Sequence, residues 1–339
     1  MEVSMLDQTQ LAEGQTAEEG FACTVEAARH ADRLGYRRFW VSEHHSSDTI
    51  AGSSPEILAA HLLAKTETIR IGTGGVMLTH YAPYKVAENF RVMSALAPGR
   101  VDLGVGKAPG GTHLPTIALQ GGQALTDAKP RNKEQFPEMI DELIEYLEVE
   151  LPESHPMSGY LRASPAVAQK PLPWILGTGS GSAKLAAERG LPYAFARFIN
   201  AEWDEMKETI RLYRESFRPS SFSVSPYVIA ASRVFAADTD DEAAWIARSA
   251  AHVQFGFHRG LQGRLPAPSE ALTGVGTEKE KQEVRDILST YLIGSKQTLS
   301  HRMDELSTMG VNEVMAITPL FSQESKQRSM TVLKEAAQD

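Results

Sequence analysis

Three consecutive side chains able to exchange protons, Glu43-His44-His45, follow directly on the apolar run Phe39-Trp40-Val41-Ser42. An imidazole changes charge near neutral pH, and an adjacent carboxylate can orient it or take its proton, so the triplet is a candidate for acid–base work. The competing reading is a polar loop that contains histidines. Further along, Gly177-Thr178-Gly179-Ser180-Gly181-Ser182 runs straight into a helical stretch from Ala183 to Arg189. Glycines admit close backbone approach, a helix start offers unpaired N–H groups and the positive end of its dipole, and hydroxyls add donors. That combination suits a phosphate. A flexible strand-to-helix turn with a serine cap is the alternative.

Two more glycine-rich segments end strand-like runs. In Gly104-Val105-Gly106-Lys107 the lysine is a mobile point charge able to reach the same phosphate, or else a solvated surface residue. In Ile71-Gly72-Thr73-Gly74-Gly75-Val76 the paired glycines weaken a strand and mark either a bulge or a flat shelf for a planar ring. His80 and His113 lie in following loops and could join His44 and His45 around a metal. The first strand ends Leu6-Asp7-Gln8, without the His-x-His expected of a barrel metallohydrolase, so metal binding ranks low and no metal ligand is assigned. His252 and His258 fall near the second long loop described below. Cys23, the only cysteine, excludes an intrachain disulfide and sits in a helical run, where a buried inert thiol is expected.

The elements that must position these residues alternate. Leu34-Gly35-Tyr36, Arg189-Gly190-Leu191 and Met309-Gly310-Val311 each end an amphipathic helix on a glycine and lead into an apolar strand. Thr16 and Glu19 have capping-box spacing, and Ser54 before Pro55 reads as a helix cap. Strands are expected near Val3–Leu6, Arg38–Ser42, Ile69–Gly72, Val101–Val105, Trp174–Leu176, Tyr193–Ala196, Tyr227–Ala236 and Glu313–Ile317. Strands separated by helices in this number predict an α/β fold, a closed (β/α)8 TIM barrel, with extended loops at its C-terminal face. An open doubly wound sheet is the runner-up, but the Gly-x-Gly-x-x-Gly turn after the first strand is missing. Residues 1–339 read as a single domain with long loops at about 106–132 and 254–283. Such lengths suit function rather than connection, and the second loop is expected to act as a lid.

A chain of 339 residues with a formal charge of -9 and no Lys/Arg block is a poor match for nucleic acid or an anionic membrane, which leaves a small-molecule role. The N-terminus lacks a signal-peptide pattern and no apolar run could span a bilayer, so a cytoplasmic protein is expected.

Taken together, Trp40-Val41-Ser42-Glu43-His44-His45, Ser54-Pro55-Glu56, Ile71 through Leu78, Gly99 through Gly106, Leu185 through Pro192, Asp238 through Ala243 and the Ile293-Gly294-Ser295 turn resemble the bacterial luciferase-like flavin-dependent monooxygenase family along nearly the whole chain. The resemblance implies a (β/α)8 barrel that uses reduced FMN and O2 on a small organic, aldehyde-like substrate, with flavin supplied by a separate reductase, and a homodimer packed through early barrel helices. It places Glu43 and His44 at the active-site strand end, with His44 handling protons; Glu43 and His45 are expected to tune or orient it. Gly74 and Gly75 match the bulge beneath the isoalloxazine, where the family can hold a cis peptide. Lys107 and Gly177–Ser182 match the phosphate site. Two departures stand out: light-emitting chains carry cysteine at the position of Gly106 and arginine at that of Lys107, which counts against light emission and tight FMN retention. Alternatives are a deazaflavin-dependent hydride-transfer enzyme, a non-catalytic flavin-binding protein and, last, a metallohydrolase.

Overall fold

A computed structural model describes residues 1–120, 133–148 and 150–338. In chain order its elements are β1 (Glu2–Asp7), α1 (Ala17–Arg33), β2 (Arg38–Val41), α2 (Pro55–Leu63), β3 (Arg70–Met77), α3 (Pro83–Leu96), β4 (Val101–Gly106), α4 (His113–Leu119), α5 (Phe136–Leu147), β5 (Leu172–Gly177), α6 (Ser180–Glu188), β6 (Tyr193–Ala196), α7 (Trp203–Ser216), β7 (Val228–Ala236), α8 (Asp240–Phe257), α9 (Glu278–Ser289), β8 (Leu292–Gly294), α10 (Lys296–Thr308), β9 (Glu313–Ile317) and α11 (Gln323–Ala336). All strand pairings are parallel, β1 through β7 pair in sequence, and β9 closes the ring by pairing with both β7 and β1. This is the expected (β/α)8 barrel. The short β8 pairs only with the upper end of β7, outside the ring, where the sequence suggests a turn.

Local signals work as their chemistry demands. Thr16 and Glu19 form the reciprocal capping box of α1. Gly35, Gly190 and Gly310 carry φ of 69°, 62° and 89°, a region costly for any residue with a Cβ, and each releases its helix into a strand. Ser54 occupies the N-cap of α2 but makes no side-chain cap bond, leaving Pro55 as the start signal. Cys23 is half-buried rather than buried, and its Sγ accepts from Gln15 Nε2 at 3.3 Å.

The loop boundaries need correction. Residues 254–257 continue α8, whose last turn is closed by the His258 N–H donating to Gln254 O at 3.1 Å. Residues 278–283 already belong to α9, whose Thr277–Glu280 capping box starts it. The second loop therefore spans 258–277. In the first loop α4 forms over His113–Leu119, and positions 121–132 lie outside the described residues. Among the described residues no helix is long and apolar enough to cross a membrane.

Two layers fill the barrel interior. Leu6, Trp40, Trp174, Ala194, Ile229, Ala231, Met315 and Ile317 form the apolar plug, with the two indoles edge to face at 5.3 Å. Beneath it, at the strand starts, Arg38 donates to Glu313 (2.8 and 3.1 Å) and Asp102 (2.7 Å). Arg70 and Trp40 donate to the same Asp102, and Tyr227 to Glu313. No local sequence motif announces this network. It closes the end of the barrel opposite the chemistry, and it forms the floor that supports the plug.

Candidate active site

Glu43 is the hub at the end of β2. Its carboxylate is fully buried, yet Oε1 accepts from His45 Nε2 and the Tyr81 hydroxyl, both at 2.8 Å, and Oε2 accepts from the Met77 backbone N–H at 2.9 Å. Three donors satisfy a buried charge that would otherwise be prohibitive. The consequence is mechanical: one carboxylate ties the end of β2 to the end of β3 and to the segment after it. Because a carboxylate can only accept, His45 must carry its proton on Nε2. Burial first, then the charge of Glu43, pushes the Tyr81 hydroxyl upward, so it remains a donor. Glu56 shares this corner, and burial, helped by the charge of Glu43, raises its carboxyl against the lowering effect of its own backbone N–H.

His44 is treated differently by the fold. Its backbone N–H donates to Gly52 O at 2.8 Å, and its Nδ1 lies 3.1 Å from Ser42 Oγ. Nε2 has no hydrogen-bond partner among the described residues. Desolvation by burial, with a further push from His45, lowers its pKa to about 4. At neutral pH His44 is therefore an uncharged imidazole with one nitrogen held by Ser42 and the other available. That is the state of a proton acceptor or neutral hydrogen-bond partner. The neighbouring histidines thus separate into one that is oriented by a carboxylate and one that is free to act.

His80 is spent on structure: Nε2 donates to Pro109 O at 2.9 Å, and Nδ1 lies 3.4 Å from Gln120 Nε2. His113 starts α4 and is exposed. Among the described residues no group of three or more His, Cys, Asp or Glu could hold a metal ion. His252, on α8, accepts from the Leu272 N–H at 3.1 Å, and His258 lies 3.3 Å from Glu283.

The strand-three glycines have separate physical reasons. A Cβ at Gly72 would lie 2.9 Å from Trp40 Nε1 and 2.5 Å from Asp102 O, and one at Gly74 would lie 2.8 Å from Leu6 Cδ1, so both make room for the plug. Gly75 is the extra residue of a bulge, since Gly74 pairs with Gly104 while Val76 pairs with Val105, and its Cβ would meet Gly104 O at 2.7 Å. The Gly74–Gly75 peptide is cis. Gly106 is the open one: its Cβ would touch nothing closer than Met77 at 4.0 Å. Side-chain-free backbone from Gly104 and Gly106 therefore borders the bulge, with space above it.

Beyond Gly106, Lys107 is exposed and has no hydrogen bond or ion pair among the described residues. The neighbouring strand β5 ends at Gly177 and leads to α6, whose N-cap Gly179 has no side-chain cap. Asn200 Nδ2 donates to Thr178 O at 3.0 Å and fixes the turn. Ser180 and Gly181 are exposed at the helix start. The Ser182 hydroxyl turns inward, donating to Gly179 O at 2.9 Å and lying 3.0 Å from the Tyr193 hydroxyl. The structure thus brings Lys107 and Gly177–Ser182 to adjacent strand ends, with backbone N–H groups rather than Ser182 Oγ as the free donors. Glu43, His44, His45, Gly74 and Gly75 occupy the next strands round, β2 and β3.

Loop 258–277 crosses toward this face. Leu265 exchanges backbone hydrogen bonds with Leu11 and Glu13 at 3.0 and 2.9 Å, and Arg264 donates to Gln15 O and Asp48 O. Its flanks, 258–263 and 273–277, are mostly exposed. Amide exchange in those flanks is expected to slow when cofactor and substrate bind, with Leu265 already protected beforehand. Unchanged flank exchange accompanied by protection around His44 would remove the lid assignment.

Residues 1–313 match the family model described as luciferase-like monooxygenase. The N-acetyl-S-alkylcysteine monooxygenase of Bacillus subtilis is 38% identical over 98% of this chain and 97% of its own. A luciferase-like monooxygenase of Escherichia coli K12 is 31% identical over 99% and 97%. Among solved structures, apo-MsnO8 shares 32% identity with a TM-score of 0.85, covering 99% of this chain and 98% of that one. Two more distant structures share the fold. The oxygenating constituent of 3,6-diketocamphane monooxygenase from Pseudomonas putida, in complex with FMN, has a TM-score of 0.69 at 19% identity over 99% and 96%. An F420-dependent secondary alcohol dehydrogenase with an F420-acetone adduct has 0.67 at 14% over 100% and 99%.

Proposed function

The chain belongs to the luciferase-like monooxygenase family, and from that premise we propose that this oxidoreductase uses reduced FMN and O2 to oxidise a small organic substrate. The observation that carries the reading is the unpaired Lys107 beside the uncapped start of α6, with the open backbone of Gly106 between them and the bulge. These residues fit a flavin mononucleotide. A cation and free helix N–H groups suit a phosphate, and a shelf lacking Cβ atoms suits a planar ring. Reduced FMN, when bound, supplies the electrons that activate oxygen. The chain's own groups do the rest. Lys107 and the α6 N-terminus hold the phosphate, the glycine shelf sets the ring height, loop 258–277 excludes water, and His44 moves a proton at the rim.

The relatives support an oxygenase, and the sulfur-containing substrate named for the Bacillus protein makes thioethers the first compounds to try. A separate flavin reductase, a homodimer and a cytoplasmic location complete the proposal. Exposed Ile57 on α2 and Val92 and Leu96 on α3 offer the apolar surface that a second copy would cover.

Titration of FMN and of riboflavin, which lacks the phosphate, tests the carrying observation. Lys107→Ala is expected to weaken FMN by about 5–50-fold, the value of a charge-assisted contact partly exposed to water, and to leave riboflavin unchanged. Equal losses for both flavins sink the assignment. Uptake of deazaflavin in preference to FMN would move the protein to hydride transfer.

A further inference from the structure

A second place for an anion lies at the strand ends next round from the proposed phosphate site. Arg233 stands on β7 opposite Ile317, the last paired position between β7 and β9, and so at the C-terminal rim where barrels keep their chemistry. It lines a cavity of about 270 Å³ with Phe198, Ile199, Gln254, Asp286 and Ile287. Its Nη1 donates to Phe198 O at 3.1 Å, and its guanidinium carbon lies 5.5 Å from the centre of the Tyr291 ring. Among the described residues it has no carboxylate partner, and its other donors are unused. Arg259, also near the mouth, is by contrast committed to Glu283 at 2.9 and 3.0 Å.

A guanidinium fork held in place by a backbone carbonyl and an aromatic ring, with no carboxylate paired to it although Glu283 and Asp286 line the same cavity, is arranged for a planar anion. A second guanidinium strengthens the positive potential behind the same wall. Arg197 is 2% exposed, has no carboxylate partner among the described residues, and donates to the carbonyl of Thr290, which itself lines the cavity. The acidic groups on the outer edge limit how much negative charge fits. Glu283 is paired with Arg259 and lies 3.3 Å from His258, whereas Asp286 accepts from Gln282 at 2.7 Å and has no cation partner among the described residues. A monoanion is therefore favoured over a dianion. Lys107 and α6 follow β4 and β5, whereas this cavity is lined by the segment after β6 and by β7, α8 and α9.

We propose that Arg233 receives the carboxylate of the organic substrate and sets the enzyme's preference for carboxylate-bearing molecules. The proposal rests on the monooxygenase reading for the word substrate, but its test does not. N-acetyl-S-alkylcysteines of several chain lengths, each as the free acid and as its methyl ester, are titrated calorimetrically into the full chain, with and without FMN.

Wild type is expected to bind acids about 10–100-fold tighter than esters, the range of a charge-assisted pair. Arg233→Gln should erase that preference by weakening the acids alone, and Arg233→Lys, which keeps charge without the fork, should retain part of it. FMN affinity should be the same in all three proteins, and their thermal unfolding should show whether each is folded. Absence of an acid preference in wild type, or its survival in folded Arg233→Gln, overturns the proposal. So does a fall in FMN affinity in that variant, which would make Arg233 a cofactor residue. Failure of wild type to take up FMN defeats the flavin reading separately and leaves the acid–ester comparison standing.

Discussion

Replacing His44 with alanine is expected to lower coupled turnover by about 10²–10⁴-fold, the usual contribution of a positioned acid–base group, with FMN affinity within a few-fold of wild type. The expectation follows from how the two imidazoles are partnered. His45 is locked to buried Glu43, whereas His44 keeps one nitrogen unbonded and is held neutral down to about pH 4 by burial and by its neighbour. A neutral imidazole accepts a proton without first losing one, so His44 imposes no loss of activity between pH 5 and 8. The acid limb it contributes belongs near pH 4, not near the 6.5 of a free histidine. The measurement is NADH consumed, product formed and hydrogen peroxide released in a reductase-coupled assay across pH. The variant should release more peroxide per NADH and lose the limb near pH 4. Loss of flavin outright, or retained coupling, would make His44 structural.

Glu43 in this picture acts through others. Its three accepted bonds hold His45, Tyr81 and the Met77 backbone, so it positions the strand ends without touching the reacting atoms. Much of this was legible beforehand. Glu43-His44-His45 stands out because polar titratable residues follow an apolar strand, and Gly35, Gly190 and Gly310 announce βα units through local backbone chemistry. The barrel itself followed from those repeats. What stayed hidden depends on contacts distant in sequence. Tyr81 lies beside the more conspicuous His80, and only the fold reveals that the tyrosine reaches Glu43 while the histidine caps Pro109 O. Arg233 sits in an apolar strand with no motif around it. The loop limits differ because Gly256 suggests a break, whereas α8 passes through it and ends at Phe257. The Gly74-Gly75 pair reads from sequence as a bulge or a flat shelf, and the structure adds that Leu6 and Trp40 below also require the missing side chain of Gly74.

The barrel floor carries the largest expected effect on stability. Arg38→Met should reduce unfolding free energy by about 3–5 kcal/mol, because it strips Glu313 of both guanidinium bonds and Asp102 of one while leaving their carboxylates buried. Burial opposes ionisation of Asp102, yet Arg38 and Arg70 outweigh it and hold its carboxyl below the ordinary 3.8. A carboxyl lowered in the folded state contributes stability that is fully present above its unfolded pKa and is lost as pH falls through the folded value. Wild type should therefore resist acid to below pH 3.8 on this account, and Arg38→Met should unfold at a higher pH, since Asp102 then keeps only Arg70 as a cation. Burial also lowers the affinity of Arg38 for its proton, but Glu313 and Asp102 reverse this, so the guanidinium remains charged throughout. Urea unfolding at pH 7 and at pH 4.5 reads both effects. Replacing the pair together, Arg38→Met with Glu313→Leu, should recover a substantial part of the loss, because a packed apolar pair avoids desolvating either charge. If Arg38→Met unfolds within about 1 kcal/mol of wild type, water reaches the floor and the network is no support for the plug. The folded variant should keep wild-type FMN affinity, since Trp40 and the glycine shelf separate the two ends of the barrel.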